Sequence, residues 1–414
     1  MSTTSTIREV RITPVALPDP PLLNVWGVHA PWALRTFVEV VTDDGTVGLG
    51  EAQGGLAALE RLERAARAAV GTDVRDTTAL EARVRAALSG TAERPLLTAF
   101  SPLEVACLDA HGRLDDVPCV ELLGGPHRDQ VELTGYLFFK WAGQPGPDGT
   151  TVPDAWGPIL DADSLVTSAR ALVAKYGFRS LKLKGGVLPP EDEIACIRAL
   201  RDALPGVLLR LDPNNAWTLP TARAASAELT GLLEYLEDPT PCGSDMARLA
   251  AETALPLATN MCVAEEAQIG PALADGSVDV LLADHHYWGG LRRTVAIARR
   301  CGEIGWGVSL HSNTHLGVSL AAMAHMGAAI GNLTHAGDTH YPWTAEHDVL
   351  VPGDIAIKDG AVAVPAGPGL GVRLDPERLA AAHEAYLSCG FRERGDTAWM
   401  RTVQPDFDPS VPRW

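Results

Sequence analysis

The 414-residue chain exceeds the size of one compact core, so two units are expected. With 46% apolar and 21% charged residues it has the balance of a soluble globular protein. Lys plus Arg (34) against Asp plus Glu (52) leave a net charge of −18, which argues against nucleic acid or an anionic membrane as partners. An acidic protein that binds an anion must nevertheless gather cations locally. No apolar run approaches the roughly 20 residues of a membrane span. The opening MSTTSTIREVRITPV lacks an apolar signal core, so a cytoplasmic location is expected. Seven scattered cysteines without a CxxC predict neither a disulfide nor a thiolate metal site.

Residues 1–131 read as an α+β unit. The stretch 38–51 reads as two strands around an Asp-Asp-Gly turn. Helical patterns follow at 57–70, 76–88 and 101–114. The third carries a start signal, with Ser101 as cap, Pro102 at the first helical position and Glu104 in the capping-box place. Residues 143–153 form a polar loop rich in Pro and Gly. From about 132 to 366, apolar runs at 135–139, 180–183, 207–211, 233–236, 255–258, 278–283, 305–310 and 332–336 alternate with helical segments such as 164–175, 192–204, 221–232 and 291–301. Eight such units predict an α/β fold, a parallel (β/α)7-8 TIM-like barrel. Residues 367–414 return to helix and are expected to rejoin the N-terminal capping unit.

The chemistry lies at the strand ends. From the second strand onward, each run ends in an ionisable or amide side chain: Lys182 and Lys184, Asp212 and Asn214, Glu237, Asn260, Asp284, His311, His340. Positions 184, 212, 237, 260, 284, 311 and 340 are 23 to 29 residues apart, one strand–helix unit each. That register brings them to the C-terminal mouth of the barrel, where active sites of this fold sit. Asp212, Glu237 and Asn260 supply oxygen donors from three adjacent strands, a set that selects Mg²⁺. Lys182 and Lys184, two residues apart on a strand, share a face. Crowded beside a divalent cation, they favour a neutral amine on one of them, here Lys184, as a general base. Across the mouth, Asp284 would fix the tautomer of His311 and raise its basicity. Two bases flanking Mg²⁺ suit removal of a proton α to a carboxylate. His285 and His286 lie at the rim of this set, and His325, in an apolar helical run, is expected to be structural.

At these residues the chain resembles the enolase superfamily, specifically its glucarate dehydratase subgroup. The matching motifs are KLKGG at 182–186, DPNN at 212–215, EDP at 237–239, ATNM at 258–261, HSNTHLG at 311–317 and DTH at 338–340. NVWGVHAP at 24–31 is similar to the segment that folds over the barrel, GYLFF at 135–139 to its first strand, and Arg394 in RGDT to its C-terminal arginine that binds the far carboxylate. The resemblance implies Mg²⁺-dependent dehydration of a six-carbon aldarate dianion in sugar-acid breakdown. Lys184 or His311 removes the α-proton, Mg²⁺ and Lys182 stabilise the enediolate, and the β-hydroxyl leaves as water to give a keto-deoxy aldarate. Catalysis would involve Lys184, His311, Asp284, Lys182 and Asn214. Substrate contacts would come from Asn24, His29, Tyr136, Lys182, Asn214, Asn260, Ser312, Asn313, His340 and Arg394. In the glucarate subgroup the middle metal ligand lies a few residues beyond EDP, where this chain has Asp245, so Glu237 and Asp245 both stand as candidates. The partner is a small dicarboxylate sugar acid, and a homo-oligomer is expected. The same bases would also serve a racemase or epimerase, or a dehydratase of another hydroxy or sugar acid. A barrel recruited for binding alone is disfavoured by its intact strand ends.

Overall fold

The computed structural model describes residues 5–146 and 150–414. Strands β1 (Ile7–Pro18), β2 (Trp32–Thr42) and β3 (Val47–Gln53) form an antiparallel sheet in that order. The β2–β3 turn is fixed by Asp44, whose carboxylate accepts bonds from the Thr42 hydroxyl and the Thr46 N–H, and by Gly45 at φ +92°. Helices α1 (Leu56–Ala69), α2 (Thr77–Ala87) and α3 (Glu93–Asp115) cover the sheet. Helix α3 lies so close to β3 that a Cβ on Gly48 would overlap the Ala106 carbonyl, and one on Gly50 the Pro102 carbonyl.

Eight strands follow: β4 (Gln130–Phe138), β5 (Ser180–Lys184), β6 (Leu208–Asp212), β7 (Tyr235–Glu237), β8 (Leu257–Thr259), β9 (Val280–Ala283), β10 (Gly307–Leu310) and β11 (Gly337–Thr339). Strands β4 to β10 pair in parallel in chain order, and β11 pairs with β4. The Thr334 and His335 N–H groups, both bonded to the Val308 carbonyl, close the seam beside β10. Among the described residues, seven helices cover the barrel: α4 (Ala162–Tyr176), α5 (Pro190–Ala203), α6 (Leu219–Leu229), α7 (Ser244–Ala250), α8 (Glu266–Asp275), α9 (Leu291–Glu303) and α10 (Gly317–Ala329). After β11 the chain makes 3₁₀ turns at Tyr341–Trp343 and Ala345–His347 in place of an eighth helix. Helix α11 (Pro376–Ser388) packs on β1, where His383 bonds the Pro14 carbonyl at 2.7 Å. Helix α12 (Asp396–Met400) lies against the short hairpin Leu23–Asn24 and Gly27–Val28.

Three expectations need correction. Helix α3 begins at Glu93, and Ser101 and Pro102 lie inside it. Burial of Leu96, Leu97, Ala99 and Phe100 holds the turns ahead of the proline. Glu104 caps another helix, accepting the Leu291 and Arg292 N–H groups at the start of α9 at 2.9 and 3.2 Å. Glu51 of β3 does the same for α10 through the Leu316 and Ser319 N–H groups, so two glutamates fasten the N-terminal layer to the barrel. The eighth strand is β11, not 332–336. Its Asp338 and Thr339 are buried polar residues, which removes the apolar signature of a strand. Cys242 and Cys262 form a disulfide, because the loops after β7 and β8 bring their Cα atoms to 5.0 Å. His325, as expected, is structural: its ring bridges the Val120 N–H and the Leu370 carbonyl. Of the polar loop, Gly143–Pro145 and Thr151–Pro153 pair as a hairpin, and 147–149 lie outside the described residues.

These assignments give a discriminating test. Ser101 is fully buried and its hydroxyl has no partner among the described residues. Ser101→Ala should therefore leave stability unchanged or higher, whereas Glu104→Ala should cost about 1–3 kcal/mol by uncapping α9. Denaturant titration of both variants checks this. The reverse order would restore Ser101 as the cap.

Candidate active site

Parallel pairing from β4 to β10 sets the strand ends side by side at the barrel mouth. On β5 both lysines face Tyr136 of β4, with Nζ atoms 4.7 Å (Lys182) and 5.3 Å (Lys184) from its ring centre. Lys182 is fully buried. It donates to Glu237 at 2.5 Å and to Asp338, with Asp212 at 4.0 Å. Burial works against its ammonium, but Asp338, Glu237 and Asp212 outweigh it and hold the pKa above the usual lysine value. Lys184 donates to Asp212 at 2.5 Å. Asp212 also accepts the side-chain amide (2.7 Å) and backbone N–H (3.0 Å) of Asn214, a residue in the left-handed region at φ +51°.

Glu237 accepts the Asn260 amide at 3.0 Å, so the Asn260 side-chain oxygen is not spent on this contact. Burial, then Asp212, pushes the Glu237 pKa up to about 8. Asp238 holds the next loop by accepting from the Thr259 hydroxyl and the Asn260 and Met261 N–H groups. Asp212, Glu237 and Asn260 thus form an oxygen-only donor set crowded with carboxylate, which fits a hard divalent cation. Asp245 lies apart from them at the start of α7, 37% exposed and 3.9 Å from Arg248.

Asp284, after β9, accepts from His311 Nδ1 at 2.9 Å and His286 Nδ1 at 3.1 Å, with His315 at 3.5 Å. Burial would raise its pKa, but the three imidazoles hold it well below the carboxylate range. Burial lowers the His311 pKa, and the opposing pull of Asp284 does not restore it. Asp284 therefore fixes the ring and pulls its basicity up, as expected, but by less than burial lowers it. His311 is a neutral imidazole near pH 7, with Nδ1 spent on Asp284 and Nε2 left to act. His285 and His286 are buried rather than at the rim, and His286 links Asp284 to the Glu51 carbonyl at 3.0 Å.

A cavity of about 860 Å³ joins these groups. It is lined by Lys184, Asn214, Asn260 and His311, by Tyr136, Ser312, Asn313 and His340, and from the covering segments by Asn24, His29 and Arg394. Lys182, Asp212, Glu237 and Asp284 lie behind this surface as its buried support. Asn24 donates to Asp396 at 2.8 Å. His29 bonds Asp19 at 3.0 Å and accepts from Arg394 at 2.9 Å. Both ring nitrogens of His340 are buried and, among the described residues, unpartnered. The sequence reading gave no role to Asp338, which binds Lys182, Arg210 and the Tyr136 hydroxyl, nor to Asp396, which neutralises Arg394. Both lie inside motifs read from the sequence, Asp338 in DTH and Asp396 in RGDT.

Residues 164–378 match the family described as Enolase C-terminal domain-like. Over 430 aligned positions, covering 99% of each chain, the protein is 48% identical to a probable glucarate dehydratase from Streptomyces coelicolor. A crystal structure of an enolase from Mycobacterium smegmatis complexed with tartrate is 50% identical and superposes with a TM-score of 0.97 over 100% of both chains. An enolase from Thermobispora bispora complexed with magnesium and formate, also 50% identical, superposes at 0.96 over 99% of this chain and 100% of that one. With its eight-stranded barrel, its capping layer and these relatives along its whole length, the chain belongs to the enolase superfamily.

Proposed function

We propose that the protein is a Mg²⁺-dependent acid-sugar dehydratase acting on an aldarate, with glucarate as the leading candidate. One observation carries the reading: Lys184 and His311, the latter held by Asp284, line one cavity with Asn260, and Asp212 and Glu237 lie behind it. The 48% identity to a probable glucarate dehydratase and the magnesium and tartrate bound by similar structures support it.

Asp212, Glu237 and Asn260 would hold Mg²⁺, which when bound supplies positive charge against the carboxylate beside the reacting carbon. Lys182, charged and fixed by Asp338 and Glu237, adds to that field. His311 takes the α-proton at Nε2, or Lys184 takes it at Nζ from the other face, according to the configuration at that carbon. The C–O bond to the β-hydroxyl then breaks as its oxygen takes up a proton returned by the protonated base, water departs, and the enol tautomerises to the keto acid. Asn24, His29, Asn214, Ser312, Asn313, His340 and Arg394 orient the polyol, Tyr136 packs beside both lysines, and holding the substrate in one pose lowers the entropic barrier.

His311→Asn should lower turnover by about 10²–10⁴-fold for the epimer whose proton faces the imidazole, while sparing exchange on the other face. Lys184→Ala should do the converse. Proton exchange in D₂O across a panel of sugar diacids checks both, and wild-type rates in both variants would refute the two-base assignment. Exchange without keto-acid formation would favour racemisation.

A pH test follows from His311. The base must be neutral and burial lowers its pKa, so kcat/KM for the His311-facing epimer should rise on a limb centred below the usual imidazole value of about 6.5. A limb above that value would contradict the assignment. Chelation with EDTA should abolish turnover and added Mg²⁺ should restore it, read as α-keto acid formed. Full activity in excess chelator would remove the metal from the account.

A further inference from the structure

The loops after β7 and β8 follow Glu237 and carry Asn260, and two fastenings hold them together. The inner one is Asp238, which accepts from the Thr259 hydroxyl and from the Asn260 and Met261 N–H groups at 3.0 and 3.2 Å. The Thr259 oxygen in turn accepts the Met261 and Cys262 N–H groups at 3.1 and 2.8 Å, so the turn that presents Asn260 is closed on itself. The outer fastening is the disulfide between Cys242 and Cys262, five residues beyond Glu237 and two beyond Asn260. Among the described residues no hydrogen bond joins 240–244 to the β8 loop, and the buried Thr240 hydroxyl is unpartnered.

This pair differs from the other five cysteines in what can reach it. Cys107, Cys119, Cys196 and Cys301 are buried, and burial pushes their thiols up, away from the reactive thiolate. Cys389 is half-buried in the C-terminal segment, where its thiol meets the Tyr386 and Phe391 carbonyls. Cys242 is exposed and Cys262 half-buried, so a thiolate in solution can approach their bond. On the other side, Met261 lines the large cavity. The disulfide thus stands between solvent and the wall of the candidate active site.

We propose that Cys242 and Cys262 are a site of thiol–disulfide exchange with a dithiol, and that their oxidised state holds the Glu237 and Asn260 loops in the spacing that binds Mg²⁺. The inference rests on the metal reading of the proposed function. One thiolate of the dithiol attacks the Cys242 sulfur, a mixed disulfide forms, and Cys262 leaves as a thiolate. The second thiol then displaces Cys242. The dithiol is oxidised by two electrons to its own disulfide, and its two protons end on the Cys242 and Cys262 thiols. Reduction leaves Asp238 as the inner fastening and frees 240–244 from the β8 loop, which removes part of the support behind the oxygen donors.

The test uses the full-length protein with Mg²⁺ alone as the probe. Iodoacetamide labelling with peptide mass spectrometry reads the thiols, and calorimetry reads the metal. After oxidised glutathione, Cys242 and Cys262 should resist the label. After dithiothreitol under native conditions both should take it, with Cys107, Cys119, Cys196 and Cys301 still unlabelled. The Kd for Mg²⁺ should rise about tenfold on reduction and return on reoxidation. The Cys242→Ser/Cys262→Ser double variant should keep the weaker Kd in both conditions, and thermal melts confirm its folding. A pair that glutathione cannot close or dithiothreitol cannot open, an unchanged wild-type Kd, or a double variant that still responds to reductant overturns the inference. Turnover of D-glucarate is scored separately. A wild type whose Mg²⁺ affinity follows the pair yet dehydrates no diacid would sink the proposed function and leave the exchange site standing. Active wild type with one Mg²⁺ affinity in both states would sink the exchange site alone. No Mg²⁺ binding in either state would remove the metal from the account, and this inference with it.

Discussion

The Lys182 ammonium, fully buried between Glu237 and Asp338 with Asp212 at 4.0 Å, is the interaction on which the rest depends. These four residues come from β5, β6, β7 and β11, so one cation ties together strands far apart in sequence and sets the register of the mouth. Buried charges of this kind are costly unless every partner is present, and removing one typically costs about 3–5 kcal/mol. The same crowding of carboxylates that fixes Lys182 keeps Glu237 poised for another positive charge. Structural anchor and candidate metal cradle are therefore one arrangement.

A second constraint lies between layers. Glu51 and Glu104 reach out of the N-terminal unit to cap α10 and α9, the helices that flank β10 and hence His311. His286 continues the link from the Glu51 carbonyl to Asp284. The imidazole proposed as a base is thus positioned by groups from both layers, while the C-terminal segment brings Arg394 and Asp396 over the cavity. An acidic chain solves its local charge problem here: Lys184 from β5, Arg94 from α3 and Arg394 from the tail line one pocket with His29, His311 and His340.

The barrel and its polar strand ends were legible because one strand–helix unit has a nearly constant length, which places Lys184, Asp212, Glu237, Asn260, Asp284 and His311 in register without any alignment. What escaped did so for physical reasons. Strand β11 is built from Asp338 and Thr339, whose burial depends on Arg210, Lys182 and Tyr136 rather than on apolar content. Ser101–Pro102 carries a strong local start signal that tertiary burial of the preceding turn overrides. Cys242 and Cys262 meet only because consecutive strand ends are adjacent in space. Arg94 and Tyr287 have no periodic signature, since they meet only where the N-terminal layer touches the barrel.

The most direct test of the central claim is a crystal structure of the protein with Mg²⁺ and a non-reacting sugar diacid. The account predicts a metal ion held by oxygens of Asp212, Glu237 and Asn260, one substrate carboxylate beside it, and the α-carbon between Lys184 Nζ and His311 Nε2. A metal bound elsewhere, or an α-carbon with both bases on one face, would contradict it.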